Sequence, residues 1–139
     1  RLKATFGTNL AQGAAVVAGN TRGNDEQYAP SRVNDGDRNT YWCTDDTVTA
    51  TDLTLDLGKP VTFDVVSLRE YLPLGLRVDD WTLDRWDGNG WQEFAKGTGI
   101  GNRRLWRGEP VTTEKVRLRI VSAAACPAIA EMALHLQAE

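Results

Sequence analysis

Histidine and methionine occur once each and cysteine only twice in this 139-residue sequence. The one imidazole, His135, falls between Leu134 and Leu136 in an alternating stretch, a surface or packed position rather than a general base. Two cysteines leave room for a single disulfide. No apolar run approaches membrane-spanning length, and the opening RLKATFG lacks the apolar block of a signal peptide. With no methionine at position 1, the expectation is a mature fragment or an excised domain. Basic charge is not in excess: 16 Lys and Arg stand against 19 Asp and Glu, for a net charge of −3. That balance argues against nucleic acid or an anionic membrane as partner. There is no repeat, low-complexity tract or internal linker, and no nucleophile elbow. GTGIGN (97–102) is followed by no helical pattern and so is no phosphate loop. The acidic pairs Asp45-Asp46 and Asp79-Asp80 would alternate faces on a strand, as solvated charges do, and abundance of acids is not a site. No residue of the chain is expected to be catalytic.

What the sequence does hold is short β-rich segments between turn residues. LTLDLG (53–58) alternates before a Gly-Lys-Pro turn, and FDVVSLRE (63–70), VDDWTLDRW (78–86), WQEFA (91–95), KVRLRIV (115–121) and IAEMALHL (129–136) follow. Asp87-Gly88-Asn89-Gly90 between two of them signals a hairpin, because Gly and Asn accept positive φ. AQGAAVVAGN (11–20), apolar and bounded by glycines, is expected as a strand. The pattern predicts one all-β domain over residues 1–139, an antiparallel β-sandwich with long, loop-rich beginnings. Loops on such a scaffold are where binding residues collect. Trp42, Trp81 and Trp91 are assigned to the core, and Trp86 and Trp106 are left unplaced.

RVNDGDRNTYWC (32–43) concentrates hard oxygen donors suited to calcium, although Asn34-Asp35-Gly36-Asp37 also suits a simple polar turn. An EF-hand is excluded, since Thr40 stands where that loop requires glycine and no helices flank it. Asp35-Gly36-Asp37, Thr40-Tyr41-Trp42 and, near the other end, Ala130-Glu131 resemble the calcium loop of the discoidin, or coagulation factor 5/8 type C, superfamily, in particular the family 32 carbohydrate-binding modules. The resemblance implies a galactose-binding-domain-like jelly roll. It also implies a structural Ca2+ held by the carbonyls of Arg32, Asp37 and Ala130, the carboxylates of Asp35 and Glu131, and Thr40. Such an ion would tie an early loop to the last strand.

The middle of the chain resembles the domain that follows the catalytic barrel in family 29 α-L-fucosidases. The matching residues are Glu70, Leu74-Gly75-Leu76-Arg77-Val78, Trp91, and Gly97-Thr98-Gly99-Ile100-Gly101 ahead of Arg103-Arg104, together with the opening LKATFGTNLA. This implies a non-catalytic module of a secreted, extracellular glycosidase that binds terminal galactose or fucose on glycans, with the catalytic domain as partner. In galactose-binding relatives a Glu precedes the calcium loop, a His and an aromatic follow Thr-x-Trp, and an Arg comes from the next loop. Glu26 matches the first and Arg69, or its neighbour Glu70, falls near the last, while Cys43 and Asp46 replace the other two. Tyr71, Arg77, Arg103 and Trp106 are candidate replacements. If Thr40 and Glu131 share an ion, Cys43 and Cys126 lie close, and a disulfide between them is expected. Two other functions compete: an accessory domain packed on the barrel without sugar, and an adhesion domain for membrane or protein with Tyr71-Leu72-Pro73-Leu74 at its tip. The neighbouring Asp45, Asp46, Asp79 and Asp80 weigh against an anionic membrane.

Overall fold

The computed structural model describes residues 9–37 and 39–137, so residues 2–8 of the fucosidase-like opening lie outside it. Seven strands form: β1 (Ala15–Ala18), β2 (Trp42–Cys43), β3 (Thr51–Glu70), β4 (Val78–Trp86), β5 (Trp91–Thr98), β6 (Arg104–Ala123) and β7 (Ala128–His135). They pair antiparallel throughout in the order β2-β7-β3-β6-β4-β5, with β1 added on β3. The expected all-β sandwich is what the chain forms. The only helical elements among the described residues are short 3₁₀ turns, three of them consecutive in the early loops at Arg22–Asn24, Glu26–Tyr28 and Pro30–Val33.

Side chains alternate across a strand, so one face of each β-segment turns inward. Leu53 and Leu55 of β3, Trp81 and Leu83 of β4, Val116, Leu118 and Ile120 of β6, and Met132 and Leu134 of β7 are buried on those faces. Each such side chain contributes about 1.5–3 kcal/mol by leaving water. From Phe63 to Leu68 every residue of β3 is buried, because β6 and β7 flank this central stretch and both of its faces are covered. His135 is also buried, at the end of β7.

Two expectations need correction. LTLDLG and FDVVSLRE are one strand rather than two, since the Gly-Lys-Pro segment is a bulge: register with β6 slips between Asp56 and Val61 and then resumes. Gly58 takes φ 80° there, and Pro60, which has no N–H to donate, sits where the ladder is interrupted. β6 likewise starts at Arg104, well before KVRLRIV, because Leu105 and Trp106 pair with Ser67 and Val66. Trp91 is the second correction. It is half-buried and meets Trp86 edge-on at 5.3 Å across the β4–β5 hairpin, outside the core. Trp42 and Trp81 are core residues as expected, and Trp106 packs on Phe63 and Phe94 at the core's margin.

Candidate functional site

The calcium-loop residues converge. Thr40 Oγ1 lies 2.6 Å from Asp35 Oδ2, 2.9 Å from the Asp37 carbonyl and 3.5 Å from the Arg32 carbonyl. The hydroxyl has a single proton to offer these three acceptors, and the Asp37 carbonyl also accepts the Thr40 N–H at 3.2 Å. That oxygen-only donor set fits a hard cation such as calcium. Among the described residues no three Asp, Glu, His or Cys side chains group as a metal site, and this set needs only two carboxylates. Its second half arrives on β7: Ala130 and Glu131 share with Gly36 and Asp37 the walls of a cleft of about 230 Å³. Arg69 Nε donates to Glu131 Oε1 at 3.2 Å, and Arg32 stands 4.0 Å from Asp35.

Local chemistry shapes this loop. Asn34 is buried and donates its amide to the carbonyls of Ala11 (2.7 Å) and Ala14 (2.9 Å), so it anchors the loop rather than offering a ligand. The Asp37 carboxylate accepts the Asn39 N–H at 2.8 Å, which leaves its carbonyl as the group turned toward Thr40. Gly36 has φ 81°, the left-handed region where a side chain is strained, so glycine is favoured there. Pairing of Trp42 with Ile129 then brings the loop beside Ala130 and Glu131.

The candidate sugar contacts do not form one clamp. Glu26 is exposed in an open cleft with Thr21, Asn24, Asp25, Ala29 and Pro30. Arg69 lines the cleft with Asp37 and Glu131 and donates to Asn102 at 3.3 Å. Glu70 is 2% exposed, and its carboxylate accepts from Arg77 N (2.8 Å), Val78 N (3.1 Å) and Gly101 N (2.9 Å). It therefore acts as a staple between two loops. Tyr71 and Arg77 do meet a common cluster. Tyr71 stacks on Tyr41 at 4.1 Å, Tyr41 lies 5.5 Å from Tyr28, and all three are half-buried over Cys43, Cys126 and Ala128. Burial, reinforced by Tyr28 and Cys43, raises the Tyr41 phenol above its ordinary range.

Sequence reasoning missed Tyr28, Tyr41 and Arg22. Tyr41 is the free position of the Thr-x-Trp motif, and Tyr28 lies two residues after Glu26 in the same 3₁₀ turn. Only the fold stacks them.

The expected Cys43–Cys126 bridge is not formed; both are free thiols, packed into the same cluster. Arg22 Nη2 and Arg77 Nη1 each donate to Cys126 Sγ, at 3.1 and 3.2 Å, while Cys43 Sγ donates to the Thr44 carbonyl. Burial pushes the Cys43 thiol up, against the opposing pull of Arg22. A protonated thiol is a poor nucleophile, which slows reaction at Cys43. Beside them Asp45 accepts from Gly23 N and Asn20, which hold it below the usual carboxylate range, and Arg22 pairs with Asp46.

The family model for the F5/8 type C domain matches residues 15–132. The chain belongs to that family. Alpha-L-fucosidase 1 of Arabidopsis thaliana is 30% identical to this F5/8 type C domain over 135 residues, 94% of this chain and 27% of that protein. A Ruminococcus gnavus fucosidase of family GH29, solved in complex with fucose, superposes with a TM-score of 0.88 at 32% identity, covering 98% of this chain and 28% of that one. The family 32 carbohydrate-binding module of C. perfringens NanJ, solved with galactose, shares the fold: TM-score 0.76 at 18% identity, over 86% of this chain and 91% of that one. This domain spans about a quarter of the length of the curated relatives it matches.

Proposed function

We propose that this chain is the non-catalytic carbohydrate-binding module of a secreted α-L-fucosidase, recognising terminal galactose- or fucose-type sugars on glycans. The observation that carries it is the cluster at the loop-rich end: three tyrosine rings, two of them stacked, beside the Arg77 and Arg22 guanidiniums. Aromatic faces receive the C–H side of a pyranose, and guanidiniums donate to its hydroxyls. The similarity to fucosidases over nearly the whole chain supports the identity of the parent. Such a module raises the local concentration of substrate for a tethered catalytic domain and leaves the chemistry to that domain. Calcium, held by Asp35, Asp37, Thr40, Ala130, Glu131 and the Arg32 carbonyl, would neutralise the two carboxylates and fix the loop to β7. The groups that move or bind sugar are the chain's own.

Isothermal titration of the 139-residue chain with lactose and with fucose tests the proposal. Millimolar binding that falls at least about tenfold in Tyr71→Ala and Arg77→Ala is expected. The same variants distinguish the cluster from Glu26 and Arg69, whose alanine variants should weaken binding less. No heat from either sugar overturns it.

The accessory-domain alternative is favoured by two observations: Glu70, near the position of the family's arginine, is occupied by three backbone N–H groups, and Cys43 stands where the family's histidine would. The adhesion alternative has Leu72, Leu74 and Leu76 exposed at one loop tip, at 41%, 37% and 70%. Cosedimentation with phosphatidylserine vesicles would separate that alternative from sugar binding.

A further inference from the structure

A second aromatic feature lies at the opposite end of the sandwich. Strand β4 begins beside Glu70 and Arg77 and ends at Trp86, eight residue steps or about 27 Å away. There the β4–β5 hairpin and the bulge of β3 frame a cleft of about 340 Å³, lined by Pro60, Arg85, Trp86, Asp87, Thr112 and Glu114, among others. That volume is at the lower end of those that hold small ligands.

The cleft is built from fixed parts. Thr113 Oγ1 accepts the Trp86 N–H at 3.1 Å and donates to the Trp86 carbonyl at 2.6 Å, which pins the tryptophan's backbone. Asp87 accepts from Asn89 N and Gly90 N, each at 2.8 Å, and from the Gln92 amide at 3.0 Å. Those bonds, the two backbone ones first, hold its carboxyl below the usual range and make the hairpin tip rigid. Trp86 is half-buried. Trp91 meets it edge-on, and Lys115 Nζ lies 5.5 Å from its centroid without lining the cleft. Arg85 supplies guanidinium donors at the cleft, and Glu114 a carboxylate acceptor.

We propose that this cleft is a second sugar-binding site, taking an uncharged pyranose ring of an oligosaccharide against Trp86, with Arg85 and Glu114 holding its hydroxyls. A protein partner fits less well, because none of the exposed large aliphatic side chains, such as Val17, Leu72, Leu76 or Val121, lines the cleft. The two carboxylates of Asp87 and Glu114 disfavour acidic or sulfated sugars. A site here would let the module grip one glycan at two points, or two chains at once, by the ordinary gain of bivalency.

The test follows the Trp86 indole N–H resonance of the 139-residue chain during titration with lactose and with cellotriose. A saturable shift of that resonance with either neutral probe, weakened about tenfold in Glu114→Gln and absent for glucuronic acid, is expected. Because Trp86→Ala could disturb the hairpin, Glu114→Gln, at an exposed position, is the deciding variant. An indole resonance unmoved by both probes, or a shift unchanged in Glu114→Gln, overturns the proposal. Shifts confined to Tyr41 and Tyr71 would overturn the second site alone and leave the module's proposed function standing. Shifts confined to Trp86 would leave the second site standing and overturn the tyrosine cluster as the sugar-contacting surface.

Discussion

Replacing Glu70 separates a positioning role from a ligand role. Its carboxylate, 2% exposed, holds Arg77 N and Val78 N on one oxygen and Gly101 N on the other, so one side chain ties the end of β3 to two loops. In Glu70→Ala all three donors lose a charged acceptor. A hydrogen bond to a charged group contributes about 1.5–3 kcal/mol, but the Arg77 and Gly101 bonds are only part-buried, so water can replace them in part. The Val78 bond is buried and bears the full loss. The sum is about 3–5 kcal/mol, a large share of the 5–15 kcal/mol that holds a typical domain together. Glu70→Gln keeps one carbonyl oxygen for Arg77 and Val78 but turns an amide N–H2 toward Gly101 N, for a loss of about 1–2 kcal/mol. Urea denaturation read by tryptophan fluorescence measures both. The expected order is wild type, Gln, Ala, with the alanine midpoint lowered by roughly 2 M. An alanine variant within about 0.5 kcal/mol of wild type would refute the staple. A glutamine variant of wild-type stability that no longer bound sugar would make Glu70 a ligand instead.

Three further expectations follow from the same structure. If calcium occupies the cleft between Asp35 and Glu131, saturation at about a hundredfold its Kd should stabilise the fold by about 2.7 kcal/mol. In differential scanning calorimetry that is roughly 8–12 °C between calcium and chelator; Asp35→Asn should erase the difference, and identical melting in both conditions would dismiss the ion. Burial opposes ionisation of Asp84, yet Arg119 and Arg117, bonded at 2.6–3.0 Å, outweigh it and hold the carboxyl below its usual range. A depressed folded pKa means stability present above the unfolded value near 3.9 and lost as pH falls through the lower folded one. Unfolding free energy should thus drop below about pH 4, and that limb should flatten in Asp84→Asn; a limb unchanged by the substitution speaks against the network. Oxidised glutathione should close Cys43 to Cys126 by thiol–disulfide exchange, releasing two reduced glutathiones. Intact mass would show the loss of two hydrogens, with stabilisation of up to about 4 kcal/mol; two unmodified thiols after long exposure would show that the packed pair cannot approach.

The strands were legible because alternation records burial directly: Leu53 and Leu55, Trp81 and Leu83, and Val116, Leu118 and Ile120 all turn inward as their spacing requires. The hairpin was legible because Asp87 through Gly90 name their own turn. The β3 bulge was not, since Gly-Lys-Pro is written the same way whether the chain turns back or steps aside; pairing with a strand fifty residues later decides it. Trp91 misled for a related reason. Its half-buried place depends on Trp86 opposite and on Arg117, 4.4 Å over its ring, and neither is local. At the loop-rich end the oxygen-rich motif could be read from spacing alone, whereas the tyrosine cluster joins residues 28, 41 and 71 through three separate loops. The cysteines were placed together correctly by the shared-ion argument, but proximity did not decide their oxidation state.

The central claim is that the tyrosine end binds sugar. Chemical-shift mapping of the ¹⁵N-labelled chain during titration with galactose and with fucose tests it most directly. The account predicts saturable movement of the amides of Tyr28, Tyr41, Tyr71 and Arg77 with at least one of the two sugars. Spectra in which those four stay fixed with both sugars would contradict it.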